Sequence, residues 1–187
     1  MKKLFNITLV LLAAFLVFSC RPDDGSDIPE DIHEHEEISK LVVKLTNKND
    51  ATDVQTVNYI GGVADAHLHL HSGDVYNVEL DFQIKHDDHY HTADEIIAEK
   101  DHHFITYEFA DASVNVKRAD NDVVRSDGQR LGLKTEWTIN SVSATGKVNI
   151  KLNHGAVSVD QNFPSATNQQ GKSVGGESDV NAMIEVH

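Results

Sequence analysis

Cysteine is almost missing from this chain: among 187 residues only Cys20 carries a thiol. A single thiol allows no intrachain disulfide and no zinc site built on cysteine pairs. Proline is scarce, at three residues, and Phe, Tyr and Trp together make up 6% of the chain, little for lining a broad apolar slot. Basic charge is short as well, with 16 Lys and Arg against 30 Asp and Glu. Such a field repels nucleic acid and attracts cations.

The one strongly apolar run lies at the start. Lys2 and Lys3 precede an uncharged stretch from Leu9 to Phe18, and small Ser19 stands directly before Cys20. The run is too short and wrongly flanked for a stable membrane span. Residues 1–19 resemble a bacterial lipoprotein signal, with Cys20 as the lipidated first residue of the mature chain. A plain secretory signal with an incidental cysteine is the blander reading. Three acyl chains on Cys20 anchor far more firmly than one myristoyl group. Residues 20–35 contain two prolines and a cluster of acidic side chains, a composition that buries no core and reads as a flexible linker. Acidic residues after the cysteine also resemble the surface-export signal of Bacteroidetes lipoproteins, which implies the outer face of the outer membrane. Without Lys2 and Lys3 the mature chain has 14 basic residues against 30 acidic ones. Residues 36–187 fit one domain of ordinary size.

Period-two patterning dominates that domain. In the stretch 75–85, Tyr76, Val78, Leu80, Phe82 and Ile84 share one face, while Asn77, Glu79, Asp81, Gln83 and Lys85 share the other. That is a half-buried antiparallel strand. Similar runs occur at 38–46, 54–60, 64–71, 103–110, 113–117, 136–139, 146–153 and 180–187. Only 92–100 reads as a helix, with Thr92 as its cap and Asp94 and Glu95 in the first turn. Residues 161–176, rich in Gln, Ser, Asn and Gly, read as a long loop. The expected class is all-β, an antiparallel immunoglobulin-like β-sandwich with one short helix.

Histidine is what the chain has in excess. It holds 12, as many as Phe, Tyr and Trp together, and eight fall between His67 and His103. Imidazole is the commonest metal ligand and titrates nearest neutral pH. In 64–71 the alternation places His67, His69 and His71 outward and Leu68 and Leu70 in the core, since burying three polar rings is costly. Residues two apart on a strand face lie about 6.5–7 Å apart, so two such rings can converge on an ion. His86, His89 and His91, with Asp87 and Asp88, form a second knot expected in a loop, where solvation explains them as well as ligation does. His102 beside Asp101 extends the ligand set.

His103 and His154 differ from the others. The phases His103, Ile105, Tyr107, Phe109 and Val148, Ile150, Leu152, His154 set each at the end of a core-facing row. Each alone reads more readily as a structural histidine, while the two together can form inner ligands. His33 and His35 extend a metal patch or belong to the linker, and His187 carries no assignment. Asp87, Asp88 and Asp101 complete coordination or orient rings. Zinc or copper suits imidazole and carboxylate ligands, with copper(II) binding more tightly on intrinsic grounds. Affinity should fall towards pH ~5 as ligands protonate.

Catalytic patterns fail their tests. Asp65-Ala-His-Leu-His69 looks like an amidohydrolase start, but that family needs a barrel of about 250 residues. No His-Glu-x-x-His, Gly-x-Ser-x-Gly or phosphate loop occurs. The expectation is a protein that is not an enzyme.

Several motifs together carry a family resemblance. They are Glu36-Glu-Ile38, Val75-Tyr76, the Glu95…Glu99…Asp101-His-His-Phe104 block, Asp127-Gly-Gln-Arg-Leu-Gly-Leu133 and Thr135-Glu-Trp-Thr138. They continue through Gly146-Lys-Val-Asn-Ile-Lys-Leu-Asn-His154 and Gly175-Gly-Glu-Ser-Asp179. Their order resembles a family of small Bacteroidetes, chiefly flavobacterial, lipoproteins, sometimes labelled periplasmic binding-domain proteins. The resemblance implies an accessory lipoprotein of a TonB-dependent outer-membrane receptor. It also implies that His103 and His154 belong to the shared pattern and the other knots to this member. The function expected is a lipid-anchored surface protein that captures zinc or copper for uptake. Haem held by axial histidines and a metal-free adhesion or scaffold protein are the alternatives.

Overall fold

The computed structural model describes residues 37–187. Residues Glu36–His187 form one compact unit. The first strands are β1 (Ile38–Asn47), β2 (Val54–Ile60), the two-residue β3 (Val63–Ala64) and β4 (Val75–His86). Along β4 the alternation seen in the sequence is realised, with Tyr76, Val78, Leu80, Phe82 and Ile84 all buried. β1 lies between β2 and β4 and sends Leu41, Val43 and Leu45 into the same core. The all-β, antiparallel expectation is correct.

The chain then turns tightly at Asp87 and Asp88 into β5 (His89–Thr92), with His86 opposite His89. This second histidine knot is therefore a hairpin and not the expected loop. Asp87 adopts φ 54°, a left-handed conformation that Asp tolerates better than most residues. Thr92 ends β5, so it is no helix cap. The helix α1 is a single turn, Glu95–Ala98, preceded by Asp94 with no side-chain cap. Ile96 anchors it to the core.

Two long strands follow, β6 (His103–Arg118) and β7 (Lys134–His154), paired along nearly their whole length. The pairs expected separately in each are single strands bent at irregularities near Asp111 and Ser113. Their first and last halves serve different neighbours. β7 pairs β4 through residues 134–138, and its other half pairs β12 (Glu177–Glu185). Trp137 is fully buried at the bend, with the Tyr107 and Phe109 rings edge-on to it at 5.7 and 5.0 Å.

The result is one curled eight-stranded sheet in the order β12-β7-β4-β1-β2-β3, with β5 on β4 and β6 on β7. The two layers of the sandwich-like core are parts of that sheet. Its ends approach each other, for Tyr59 Oη of β2 donates to the Asn181 carbonyl of β12 at 3.3 Å. Residues 65–71 are not the regular strand expected. After β3 the segment makes an isolated parallel bridge, Leu68 to Val186, beyond β12.

The stretch expected as a long loop carries three short strands instead, and a fourth lies directly before it. β8 (Ser158–Asp160) pairs β11 (Lys172–Val174), and β9 (Pro164–Ser165) pairs β10 (Asn168–Gln169). This flap lies against β6, where Asn168 and Gln169 accept from the Val116 and Arg118 amides. Beneath it the buried Arg118 guanidinium donates to the Arg130 and Ile105 carbonyls and covers the Phe104 ring. Burial lowers its pKa to about 10. Gly132 and Gly171 leave the room it needs, since a Cβ at either would overlap the guanidinium.

Candidate metal centre

β6 begins at His103 and β7 ends at His154, and strand register makes them direct cross-strand partners. Their rings stack at 4.9 Å between centroids, 19° from parallel. The pairing is locked at its end by the Gly155 amide donating to the His102 carbonyl at 2.8 Å. From the other side, β12 pairs Ser178 with Asn153 and Val180 with Leu152, leaving Asp179 as an extra residue. A bulge of this kind re-aims a side chain. Here it turns the Asp179 carboxylate onto both histidines, at 3.6 Å from His103 Nε2 and 3.8 Å from His154 Nδ1.

The tautomer of His103 follows from its other nitrogen. Nδ1 lies 3.1 Å from the Glu99 carbonyl, which can only accept, so Nδ1 carries the proton and donates it. Nε2 is then left with a lone pair aimed at a carboxylate oxygen. A cation placed between these two electron-rich atoms, a proton or a metal ion, would be held favourably. A ring N–H held by a backbone carbonyl is the usual support of a metal-ligating histidine. The second imidazole, on the other oxygen of the same carboxylate, adds a third donor to the group.

The ligand atoms of His103, His154 and Asp179 all lie within 4.8 Å of one another, and among the described residues this is the one such group. It can hold a metal ion. Tetrahedral zinc at about 2.0–2.1 Å from each ligand spaces its donors at roughly 3.4 Å. The two histidine–carboxylate gaps of 3.6 and 3.8 Å therefore need to close by a few tenths of an ångström, and the two imidazoles need to turn toward the same point. Three protein donors leave a fourth position for water or a ligand. His103 is buried at 3% exposure, and the side chains of His154 and Asp179 are 16% and 26% exposed. The group therefore sits at a rim with access from one side. Asp179 also borders an open cleft of about 510 Å³, shared with Lys40, Tyr59, Tyr90 and Asn181.

The turn that carries His103 is itself fastened. Arg125 donates to the carbonyls of Lys100 and His103. Asp101 accepts from both the amide and the hydroxyl of Ser126, each at 2.7 Å. Those two bonds, the hydroxyl's first, hold its carboxyl below the ordinary value. Asp101, expected to assist the ion, is thus engaged in loop structure. His102 lies at the edge, its ring 6.2 Å from that of His154.

The remaining histidines are elsewhere. His67, His69 and His71 point outward as expected, with Leu68 and Leu70 inside at 0% and 2% exposure. His67 Nε2 meets Glu185 Oε2 at 3.2 Å, and the His67 and His69 rings both pack on His187. In the β4–β5 hairpin the His86 ring is 6.3 Å from that of His91 and 3.7 Å from the Asp87 carboxylate, while His89 and Asp88 are exposed. Cys20, His33 and His35 lie outside the described residues. Sequence reasoning did not single out Asp179, which joins His103 and His154, nor His187 and Glu185, which meet the outward histidines. Asp179 closes a motif visible in the sequence, but 30 acidic residues give no ground for selecting it.

No protein-family model, curated protein or solved structure matches this chain.

Proposed function

We propose that this protein binds a divalent transition-metal ion, zinc or copper, through His103 Nε2, His154 and Asp179. The observation that carries the reading is the lone pair of buried His103, fixed by the Glu99 carbonyl and aimed at a carboxylate that a bulge brings to it. The open fourth position and the neighbouring cleft suit capture and release better than permanent structural binding. The outward histidines and the acidic surface supply weaker sites that raise the local concentration of the ion.

The setting we propose follows from the sequence. A lipoprotein signal ending at Cys20 and an acidic linker would tether the domain to the outer membrane, facing outward. Delivery to a TonB-dependent receptor is the use that fits a tethered metal binder. Haem is the weaker reading, because the His103 and His154 rings stack side by side and do not face each other across a porphyrin-wide gap. A metal-free scaffold predicts no response to metal at all.

Calorimetric titration of untagged protein with zinc(II) and copper(II), repeated on His154→Ala, tests the proposal. A high-affinity binding event lost in the variant supports it. The same number of equivalents bound at the same affinities in the variant, or no event in the wild type, overturns it. A Soret shift on adding haemin that disappears in the same variant would favour haem instead.

A further inference from the structure

The side chains that the histidines of residues 67–71 meet belong to the end of the last strand. Leu68 donates to the Glu185 carbonyl at 3.0 Å, Leu70 donates to the His187 carbonyl at 2.9 Å, and His187 donates back to Leu68 at 3.0 Å. These three bonds form a short parallel seam across which the curled sheet closes on itself. On its inner side Leu68, Leu70 and Val186 are buried. Alternation along both segments therefore places His67 and His69 on the outer side of one, and Glu185 and His187 on the outer side of the other.

The outer side chains converge. The His187 ring lies between the other two, with centroids 4.9 Å from His67 and 4.8 Å from His69, nearly perpendicular to each. Glu185 Oε2 stands 3.2 Å from His67 Nε2. The backbone under His69 is held twice by Gln55, whose amide nitrogen donates to the His69 carbonyl and whose oxygen accepts from its amide, each at 2.8 Å. Three imidazoles and a carboxylate are thus presented from fixed backbone, with their side chains free to turn. His71 lies beyond the group, its amide pointing to Tyr76 Oη.

We infer that His67, His69, His187 and Glu185 form a second transition-metal site, which staples the seam between residues 67–70 and the end of the last strand. Imidazole-rich sets with one carboxylate suit zinc(II) and copper(II). As the rings stand, no three of these donor atoms lie within 4.8 Å of one another, so the exposed side chains must turn their nitrogens inward around the ion. An ion held there joins two segments otherwise tied by three backbone bonds, so its binding must suppress local opening of the seam. This site shares no residue with the group at His103 and stands independently of it.

The test is hydrogen exchange and zinc titration on untagged protein carrying His154→Ala, which disables the other site. Zinc is expected to slow exchange of the Leu68, Leu70 and His187 amides in that background, and to bind with one equivalent. Adding His69→Ala, or separately His67→Gln, should abolish both effects; both positions are exposed, so the fold should tolerate either change. Zinc binding that leaves those amides unprotected, or that survives both substitutions, overturns the inference. Made singly in the wild-type background, a His154→Ala change that loses an equivalent beside a His69→Ala change that loses none would leave the Asp179 group standing and this site refuted. Loss on His69→Ala alone would do the reverse.

Discussion

Asp179 is worth little as one acidic residue among many and a great deal at the position where the bulge puts it. Replacing it with Asn keeps the size and removes the charge that pairs with a cation. Zinc affinity of Asp179→Asn should fall by at least the ~10–100-fold typical of losing a supporting partner, since here a ligand itself is lost. Titration against a competing chelator reads the change. Tyr107 is a purely structural contrast. Its hydroxyl donates to the Gly132 carbonyl at 2.5 Å within the core, and burial raises its pKa so that it stays neutral. Tyr107→Phe leaves that carbonyl without a partner and should cost about 1–3 kcal/mol in urea unfolding, with metal affinity unchanged. Asp101 gives a pH signature. Its carboxyl is lowered from 3.8 in the folded chain, so its contribution to stability is present above 3.8 and is lost as pH falls through the folded value. Ser126→Ala removes the hydroxyl bond and keeps the amide bond, so it should move the Asp101 carboxyl part of the way back up, visible by NMR titration of its carboxyl carbon, and reduce that loss on the acid limb.

Strands were legible wherever one face is buried and the other wet. β4 could be read residue by residue because Tyr76 to Ile84 alternate with polar neighbours, and that period has one physical cause. The cap assigned to Thr92 failed because the pairing of β5 with β4 outweighs local helix signals, leaving only one turn of helix. The 161–176 stretch misled for a related reason. Its polar composition resembles a loop, yet short pairings and contacts through Asn168 and Gln169 order it as a flap on β6. Register is what sequence reading could not supply. His103 and His154 each stood out at the end of an apolar row, but their meeting depends on how β6 and β7 align. The corner after β7 keeps that meeting in place. Gly176 adopts φ +74°, and a Cβ there would run into the His154 carbonyl. Gly176→Ala should therefore displace the start of β12 and weaken zinc binding, while the distant β1–β2 hairpin keeps its hydrogen-exchange protection.

Across the whole molecule, an acidic composition, an excess of imidazole and a curled sheet closed at its ends are the features on which the proposed cation binding rests. The charge and the histidine count were plain in the sequence, and the all-β class followed from the patterning. The division of labour among histidines was not, because burial and partners, rather than local crowding, separate His103 and His154 from the exposed knots. An ion that binds only the folded chain must stabilise it, by about 2.7 kcal/mol at a free concentration of 100 times Kd. Zinc should accordingly raise the melting temperature, with a smaller rise in His154→Ala. The most direct measurement is anomalous diffraction at the zinc edge from crystals of the untagged protein grown with zinc. The account predicts a peak bounded by His103 Nε2, the His154 ring and the Asp179 carboxylate. Zinc density elsewhere in the same crystals, with none between those three side chains, would contradict it.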